Sequence, residues 1–423
     1  MTPNQLFQTA LQLEESPWRV VRTDFSGQPP ALEIGLEFVR GSQFHCPQCG
    51  ELCGVHDTVE KRWRHLNFFQ YRCELLARVP RVWCRQDGVH LAQVPWASEG
   101  SGFTLLFEAF VMLLAQQMPV AAISRLVNEE DTRLWRLIAR VVKDAHAAAD
   151  WSEVSSIAID ETSSRRGRWY VTVFLDAETH RLLYVAEGRS SHAVQEFAQA
   201  LVAHGGDCQR IQWVAMDMLH CYAKGVREHF PKAQIVYDRF HLMVMAGEAV
   251  DEVRRSLQRQ GAQLKGALWT LRGNPWNLEP DQLQTRTRLA QKYKPLGRAL
   301  ALRAALQDVY EASTQEGPEL LNRWCQWATR SRLAPFKKLA QTFRQYWAGI
   351  VSYFQCRITQ GAIEAINGII QLAKRRARGF RNFLYPRTIA YWRLGMKRKS
   401  FSKAGWTLTR DPWDRAAFDP PAR

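Results

Sequence analysis

The stretch SSIAIDETSSRRGRWYVTVFLDAETHRLLYVAEG, residues 155–188, decides the fold of this chain. It holds three runs rich in β-branched and aromatic residues, and short polar segments separate them. Runs of this kind bounded by turn residues are typical of strands, so we expect three consecutive antiparallel strands, with the second over 169–176 and the third over 181–188. Downstream the pattern alternates, predicting a helix over 192–202, a strand over 211–216, a helix over 221–230 and a strand ending at Asp238.

Two acidic residues follow strand signals, and a third lies in a predicted helix. Asp160 ends SSIAID and Asp217 ends QWVAMD, while Glu364 lies inside GAIEAINGIIQLAKRR. Helical spacing places Ile363, Ile366, Ile370 and Ala373 on an apolar stripe, and Glu364, Asn367, Gln371, Lys374 and Arg378 on the polar side. Three meandering strands followed by helix, strand, helix and strand form the ribonuclease H topology. In that topology the first and fourth strands are adjacent, which brings their acids together.

Carboxylates in this order are suited to phosphodiester chemistry. Mg²⁺, or Mn²⁺ in its place, takes oxygen ligands, and two ions about 3.5–4 Å apart can clamp the attacking and leaving oxygens. The sequence therefore predicts that Asp160, Asp217 and Glu364 hold catalytic metal ions. The alternative is ordinary: Asp160 caps a strand, Asp217 begins a helix and Glu364 is solvated.

The predicted fold class is α/β and multidomain. Asp217 and Glu364 are 364 − 217 = 147 residues apart, so an insertion must separate them. Residues 242–355 have helical composition with breaks near 273–280 and 317–318, which predicts an all-helical insertion. We place the boundaries as an N-terminal segment 1–40, a zinc-ribbon-like domain 41–98, a helix-turn-helix domain 99–150, the first part of the core 151–241, the insertion 242–355, the final core helix with a basic tract 356–400, and a tail 401–423.

The segment FHCPQCGELCG predicts half of a zinc site. Cys46 and Cys49 form a C-x-x-C turn, and Cys84 follows a β-like run at the separation expected of a zinc ribbon. Asp87 occupies the position where a second cysteine would complete the site, and zinc accepts a carboxylate oxygen. The candidates for the fourth ligand are therefore Asp87, His90, Cys53, His56 and Cys73, and the alternative is a ribbon that has lost its metal.

Residues 103–149 are predicted to be helical. Within them PVAAISRLVNEEDTRLWRLIARVV, residues 119–142, predicts two amphipathic helices joined by a turn near 128–131, the pattern of a helix-turn-helix. The second helix carries Arg133, Arg136 and Arg140 beside Leu134, Leu137 and Ile138, so it could enter a major groove. Two consecutive amphipathic helices also form simple bundles, which is the alternative interpretation.

The charge of the chain favours a polyanionic partner. There are 57 lysines and arginines against 41 acidic residues, a net charge of +16. Twelve basic residues and no acid lie between 365 and 410, and the tract begins on the predicted active-site helix with Lys374, Arg375, Arg376, Arg378 and Arg381. Such side chains would bind DNA backbone in a salt-dependent manner, unless the tract is only a solvated basic face.

The apolar runs, the N-terminus and the cysteines bear on where in the cell the protein works. The longest apolar run, AFVMLLA, is too short to span a membrane, and the N-terminus lacks the features of a secretion signal. We therefore expect a cytoplasmic protein without a membrane partner. Its nine cysteines are then expected to be thiols or metal ligands rather than disulfides.

Three segments together resemble the DDE transposases of the ISL-three type of bacterial insertion sequence. They are DETSSRRGRWYVTVFLD, AMDMLHCYAKGVREHFPKAQIVYDRFH and ITQGAIEAINGIIQLAKRRARGFRNF, and the resemblance runs from about residue 40 to 395. It implies that Asp160, Asp217 and Glu364 are the catalytic triad and that Asp238 to His241 is a recurrent motif of accessory role. It also implies that the substrates are the terminal inverted repeats of the element and a target DNA.

Synapsis of two DNA ends would require a homodimer or a higher oligomer. The rival functions are a transposase-derived regulator that binds DNA without cutting it, and a structure-selective nuclease that cuts without joining. A recombinase with a serine or tyrosine nucleophile is a further enzymatic rival, but the three acids account for the chemistry without one.

Overall fold

The computed structural model describes residues 2–163, 170–380 and 382–395. These residues divide into two compact units, an N-terminal unit that ends at Ala145 and a C-terminal unit over His146–Gly395. The first residue of the second predicted strand, Trp169, lies outside the described residues, as do Arg381 and the predicted tail 401–423.

The N-terminal unit is built on a five-stranded sheet that packs around three tryptophans. Trp96 lies edge-on to both Trp18 and Trp63, with ring centroids 4.8 Å and 5.5 Å apart. After helix α1, Pro3–Ala10, the strands are β1 Trp18–Ser26, β2 Ala31–Phe38, β3 Phe44–His45, β4 Leu52–Cys53, β5 Val55–Phe68, β6 Tyr71–Cys84 and β7 Gly88–Leu91. The sheet order is β1-β2-β6-β5 with β7 on β6, while β3 and β4 form a separate hairpin.

One predicted boundary is corrected by this sheet. The sequence separated residues 1–40 from the zinc-ribbon-like domain, but β2 pairs in parallel with β6, Ala31 opposite Arg72 and Leu36 opposite Ala77. The first strands therefore cover the flank of β6 and belong to the same folded unit as residues 41–98. The alternation of buried Leu32, Ile34 and Leu36 shows why, because that face completes the core.

Three helices follow, and the turn between the last two is where the sequence predicted it. They are α2 Leu105–Gln117, α3 Val120–Val127 and α4 Asp131–Ala147. Asn128 adopts a left-handed conformation with φ of 50° and ends α3. Leu134, Leu137 and Ile138 are buried as predicted. Helix α2 begins two residues later than expected because the Thr104 hydroxyl caps its N-terminus.

The sheet of the C-terminal unit has the predicted strands and helices in the predicted order. They are β8 Ser156–Ser163, β9 Tyr170–Asp176, β10 Leu182–Glu187, α5 Ser191–Ala203, β11 Trp213–Met216, α6 His220–His229 and β12 Gln234–Tyr237. The strand order is β10-β9-β8-β11-β12. The first three strands are antiparallel, and β11 is parallel to both β8 and β12. The first and fourth strands are therefore neighbours, as the topology required.

A helical segment then fills residues 239–356, all of which are described. Its helices are α7 Arg239–Arg259, α8 Leu268–Arg272, a 3-10 turn Pro275–Asn277, α9 Pro280–Lys292, α10 Lys294–Glu311, α11 Gly317–Arg330, α12 Ala334–Gln345 and α13 Trp347–Cys356. The segment starts at residue 239 rather than at the predicted 242, because the Asp238 side chain caps α7 directly after β12. Both predicted breaks are present: α8 ends at Arg272 before α9 begins at Pro280, and α10 ends at Glu311 before α11 begins at Gly317.

The described chain ends with α14 Gly361–Arg376, α15 Leu384–Ala390 and a π-helical turn Tyr391–Gly395. Helix α14 packs on β8 and β9. The residues it buries, Ile363, Ile366, Ile370 and Ala373, are those of the predicted apolar stripe. Within the described part of the chain, every helix is too short or too polar to cross a lipid bilayer.

Candidate active site

The sheet places two of the predicted acids side by side. Strands β8 and β11 pair in parallel, with Ile159 opposite Met216, so the next residues along the two strands are Asp160 and Asp217. The structure corrects one detail, because β8 does not end at Asp160 but continues to Ser163 by pairing with β9. Asp160 is thus fixed within a strand. Asp217 lies in the turn between β11 and α6.

Helix α14 presents the third acid in its first turn, and its polar side binds β8. The Asn367 amide donates to Asp160 Oδ2 at 2.7 Å, and the Lys374 ammonium donates to the Ser163 carbonyl at 2.7 Å. The Gln371 amide donates to Thr162 Oγ1 at 2.7 Å. Part of the polar row that the sequence predicted on this helix therefore fixes α14 against β8. Glu364 lies one turn before Asn367 on this helix.

Asp238 and His241 join the same site from the start of α7. Asp238 is 3% exposed and accepts from the backbone N–H groups of Phe240 at 3.2 Å and Gln360 at 3.4 Å. Nδ1 of His241 lies 2.9 Å from Oδ1 of Asp217 and 3.9 Å from Oδ2 of Asp238. We call Asp160, Asp217, Asp238 and Glu364 the carboxylate cluster.

The tightest group of ligand atoms in this site is not the predicted triad. Asp238, His241 and Glu364 have ligand atoms within 4.8 Å of one another, and this group contains Glu364 but neither Asp160 nor Asp217. Asp217 is connected to it through His241. The structure therefore brings the accessory pair predicted from the sequence into direct contact with the triad.

The electrostatics of the carboxylate cluster follow from burial and like charge. Burial, and next the charge of Asp217, raise the pKa of Asp160 to about 7. Burial also raises the pKa of Asp238 and of Glu364 above their usual values. Hydrogen bonding to the Asp217 carboxylate raises the pKa of His241 to about 9, so this imidazole is cationic at neutral pH. One cation thus faces four carboxylates, which leaves the cluster short of positive charge.

The site fits a hard divalent cation. The four acids of the carboxylate cluster offer oxygens, the ligand atoms that Mg²⁺ and Mn²⁺ prefer. Buried oxygens of Gln360 and Asn367 beside it accept no hydrogen bond from any described residue. Buried acceptors without donors are costly unless a water or an ion satisfies them.

Sequence reasoning missed Gln360, which lies immediately before α14 and is fully buried. Its amide donates to the Ile159 carbonyl at 3.1 Å, and its backbone N–H donates to Asp238. It therefore ties the strand that carries Asp160 to the helix that carries Glu364. The only available signal was a polar residue at a helix N-terminus, which is too common to single out.

The candidate zinc site assembles in the N-terminal unit. Cys46, Cys49, Cys84 and Asp87, hereafter the cysteine cluster, have ligand atoms within 4.8 Å of one another. Oδ2 of Asp87 lies 3.4 Å from the sulfurs of both Cys46 and Cys84, and the sulfurs of Cys49 and Cys84 are 3.5 Å apart. Backbone N–H groups of Asp87 and Gln86 lower the pKa of Cys84, which favours the thiolate that binds zinc.

Two turns shape the cysteine cluster. Gly50 follows Cys49 with φ of 78° and its N–H donates to the Cys46 carbonyl at 3.0 Å, a conformation that favours glycine. Gly88, which follows Asp87, also has a positive φ, of 85°. Three sulfurs and one carboxylate within this distance suit zinc in a tetrahedral site.

The other candidates for the fourth zinc ligand lie outside the cysteine cluster or at its edge. Cys53 falls in a second, overlapping group with Glu51 and Cys84. His90 is bonded through Nε2 to the Asp87 carbonyl at 2.8 Å, and His56 lies 3.5 Å from the Asp57 carboxylate. Cys73 is buried in the centre of the sheet. The geometry therefore favours Asp87.

The arginines predicted to read DNA differ in their environments. Arg133 pairs with buried Glu129 at 2.7 Å, and Arg140 pairs with buried Glu108 at 2.5 Å. A buried carboxylate requires a partner, so both arginines also stabilise the fold by pairing with these acids. Arg136 is exposed, and it forms no ion pair with a described residue.

The predicted basic tract is described as far as Arg378 and again from 382 to 395. Arg375, Arg376 and Arg378 are exposed near the end of α14, whereas Lys374 is half-buried against Ser163. The described part therefore presents cations beyond the carboxylate cluster along one helix. Arg381 lies outside the described residues.

Comparisons with known proteins agree with the order of these parts. Residues 157–390 match a family model described as a transposase. Residues 92–142 match the helix-turn-helix domain of transposase family ISL3, and residues 42–87 match the zinc-finger of transposases IS204, IS1001, IS1096 and IS1165.

Two curated relatives cover most of the chain. It is 30% identical over 355 residues to the transposase for insertion sequence element IS1001 of Bordetella parapertussis, covering 80% of this chain and 86% of the relative. It is 29% identical over 368 residues to the transposase for insertion sequence element IS1557 of Mycobacterium tuberculosis, covering 80% and 82% respectively.

Proposed function

This chain belongs to transposase family ISL3, and from that membership we propose that it moves an insertion sequence by metal-dependent cleavage and joining of DNA strands at the carboxylate cluster. It is a transposase with a zinc-finger and a helix-turn-helix domain ahead of its transposase domain. One observation carries the proposal: the parallel pairing of β8 with β11 puts Asp160 beside Asp217, and α14 brings Glu364 to the same place.

The chemistry that bound Mg²⁺ or Mn²⁺ supplies at these oxygens is polarisation of the phosphodiester and activation of the attacking oxygen. Asp160, Asp217 and Glu364 are the proposed ligands. Asn367 holds the Asp160 carboxylate by its hydrogen bond at 2.7 Å, and Gln360 positions Asp238. His241 orients Asp217 from 2.9 Å. We assign Asp238 and His241 positioning roles within the site.

The proposed reaction has two steps, cleavage at an end of the element and joining to the target. In the first, a water oxygen bonds to phosphorus at the end of the element while the bond to the 3′ oxygen breaks, leaving a 3′ hydroxyl and a 5′ phosphate. In the second, that 3′ hydroxyl attacks a phosphorus of the target in line, and the 3′ oxygen of the target leaves. The core that performs these steps is, in our proposal, ribonuclease H-like, with residues 239–356 as its helical insertion.

DNA recognition is assigned to several surfaces. Arg136 on α4 is the proposed base-reading residue of the helix-turn-helix. Arg133 and Arg140 are placed beside it by their ion pairs. Lys374, Arg375, Arg376, Arg378 and Arg381 are proposed to hold the flanking backbone. Zinc in the cysteine cluster would fix the shape of the N-terminal unit. The two ends of an element must be held together, so we propose a dimer or a higher oligomer on DNA.

The test is to incubate the purified protein with labelled DNA that carries the ends of its element, with Mg²⁺, beside the Glu364→Gln variant. We expect nicks with 3′ hydroxyls at the ends, followed by joining, and loss of both activities in the variant. The matched control is Glu187→Gln, which removes an exposed carboxylate at the end of β10 in the same sheet.

Each rival function predicts another result. Tight binding to the ends without cleavage by the wild type would indicate a regulator. Cleavage without joining and without preference for the ends would indicate a nuclease. Cleavage that survives in Glu364→Gln would exclude this carboxylate from the metal site.

A further inference from the structure

Glu129, in the turn between α3 and α4, is a buried acid with arginines around it. It is 7% exposed. Its carboxylate lies 2.7 Å from Arg133 on α4, 3.4 Å from Arg72 on β6 and 3.9 Å from Arg64 on β5. We call these four residues the Glu129 network. It joins the five-stranded sheet to the second helix of the helix-turn-helix, all within the N-terminal unit.

Arg64 contacts the helices as well as the acid. Its Nη2 donates to the Val127 carbonyl at the end of α3 at 2.9 Å, and its Nη1 donates to the Cys73 carbonyl on β6 at 3.2 Å. Its guanidinium also lies 5.0 Å from the centre of the Phe107 ring on α2. One buried side chain of β5 therefore contacts two helices and the neighbouring strand.

Backbone hydrogen bonds strengthen the same junction. The Arg64 N–H donates to the Gly102 carbonyl at 2.9 Å, and the Thr104 N–H donates to the Arg64 carbonyl at 3.0 Å. Nη1 of Arg72 donates to the carbonyl of Asn128 at 3.4 Å, in the left-handed turn before α4. The sheet therefore fixes both the chain that enters α2 and the turn that precedes α4.

Charge makes the Glu129 network costly to separate. Removing one partner of a buried ion pair leaves the other charge without its counterion, which is strongly destabilising. Burial, and next the charge of Arg72, lower the pKa of Arg64 to about 10, so this side chain is still cationic at neutral pH. The attraction between Glu129 and its arginines therefore favours one orientation of α4 on the sheet.

The orientation of α4 matters because this helix carries the exposed Arg136. Leu134 and Ile138 are buried on the side of the helix away from it. A recognition helix reads base edges only when it enters the major groove in a fixed position. Attraction to phosphates is independent of sequence and needs no such precision. A helix that is held loosely would therefore keep its charge but lose its selectivity.

We propose that Glu129 is a positioning residue that determines specificity, because through Arg64 and Arg72 it holds α4 where Arg136 can read the bases at the ends of the element. The sheet and the helix-turn-helix then act as one DNA-reading body rather than as two independent modules. This inference rests on the proposed function, since it takes the ends of the element as the DNA that α4 reads.

The test is fluorescence anisotropy with the full chain and two labelled duplexes. One duplex carries an end of the element, and the other has the same composition in scrambled order. Glu129→Gln keeps the size of the side chain and removes its charge. We expect its affinity for the end to fall about tenfold, while its affinity for the scrambled duplex does not fall. The matched control is Glu130→Gln, which removes the adjacent exposed acid and should keep the wild-type ratio of the two affinities.

The ratio of the two affinities separates positioning from stability. A variant that is only less folded loses affinity for both duplexes in the same proportion. Arg72→Gln is a milder second variant, because the Arg72 side chain is 32% exposed and Arg64 and Arg133 still neutralise Glu129. It should fold and lower the ratio in the same direction. Arg78→Gln, which removes an exposed arginine from the same strand, should leave the ratio unchanged.

Three outcomes would overturn the inference. They are a wild-type ratio in Arg72→Gln, an equal loss in Glu129→Gln and Glu130→Gln, and equal binding of the two duplexes by the wild type, which would leave no selectivity for Glu129 to set. Failure of the proposed function gives a different result. The wild type would then prefer the end but not cleave it in Mg²⁺, and the ratios measured for the variants would still stand.

Discussion

The cysteine cluster of the N-terminal unit and the carboxylate cluster of the C-terminal unit each gather side chains that could hold a metal ion, but the chain assembles the two clusters differently. The cysteine cluster takes two ligands from each of two short turns at the ends of strands. The carboxylate cluster takes each acid from a separate element, and hydrogen bonds to buried partners fix the elements that carry them.

This difference teaches what each metal would contribute. The hairpin of β3 and β4 has only two residues in each strand, so few backbone hydrogen bonds fix the turn that carries Cys46 and Cys49. Structural zinc in such a place contributes directly to folding. Hydrogen bonds between protein groups fix the sheet and the helix around Asp160, so a metal there would serve the reaction rather than the fold.

Asp160→Asn should produce the largest effect, which is on strand cleavage. Loss of one ligand removes several kcal/mol of transition-state stabilisation, so we expect strand cleavage to fall by at least about 10³-fold. Asparagine can still accept from Asn367, so the fold should persist. Single-turnover cleavage in Mg²⁺ measures the loss. Cleavage within tenfold of the wild type would contradict the ligand assignment.

The same variant tests the cluster electrostatics in chelated, metal-free protein. The pKa of Asp160 is about 7 in the folded protein and near 3.8 in the unfolded chain. The ionised carboxylate therefore destabilises the folded protein, and the stability falls as the pH rises from the lower value through the higher one. Urea unfolding at pH 8 should therefore show the variant at least as stable as the wild type, whereas near pH 4 the difference should vanish.

Cys84→Ser should differ from Asp160→Asn, because its main effect should be a large loss of stability. Losing a thiolate from the cysteine cluster should abolish stoichiometric zinc and unfold the turns around Cys46 and Asp87. Metal analysis and thermal unfolding measure these effects, and DNA-end binding should fall with them. Cys208→Ser, in a loop of the C-terminal unit, is the matched control and should keep both metal and midpoint. Retention of zinc in Cys84→Ser would exclude this residue as a ligand.

Asn367→Ala should have the smallest effect on cleavage. It tests whether the amide that holds Asp160 contributes to metal binding. Removing the amide that holds Asp160 should lower cleavage about 10- to 100-fold and raise the Mg²⁺ concentration needed for half-maximal rate. Gln371→Ala removes a similar amide whose partners are Thr162 and Ser163, so it should affect metal dependence far less. Equal metal dependence in the two variants would show that Asn367 acts only in packing.

Periodicity and local spacing determined much of the fold in advance. The strand order, the apolar stripe of α14 and the turn at Asn128 follow from patterns a few residues long, because side-chain burial repeats with the period of the element. The cysteine cluster was accessible for the same reason, since C-x-x-C is a local turn. The resemblance to a known family supplied the remaining site residues, Asp238 and His241.

The tertiary structure alone decided the contacts between distant segments. Gln360 gave no local signal, because glutamines are common near helix ends and only its burial marks it. The pairing of Arg133 and Arg140 with buried acids was also invisible in the sequence. Local patterns specify elements, whereas the partner of a buried polar group depends on which elements pack together, and that depends on the whole chain.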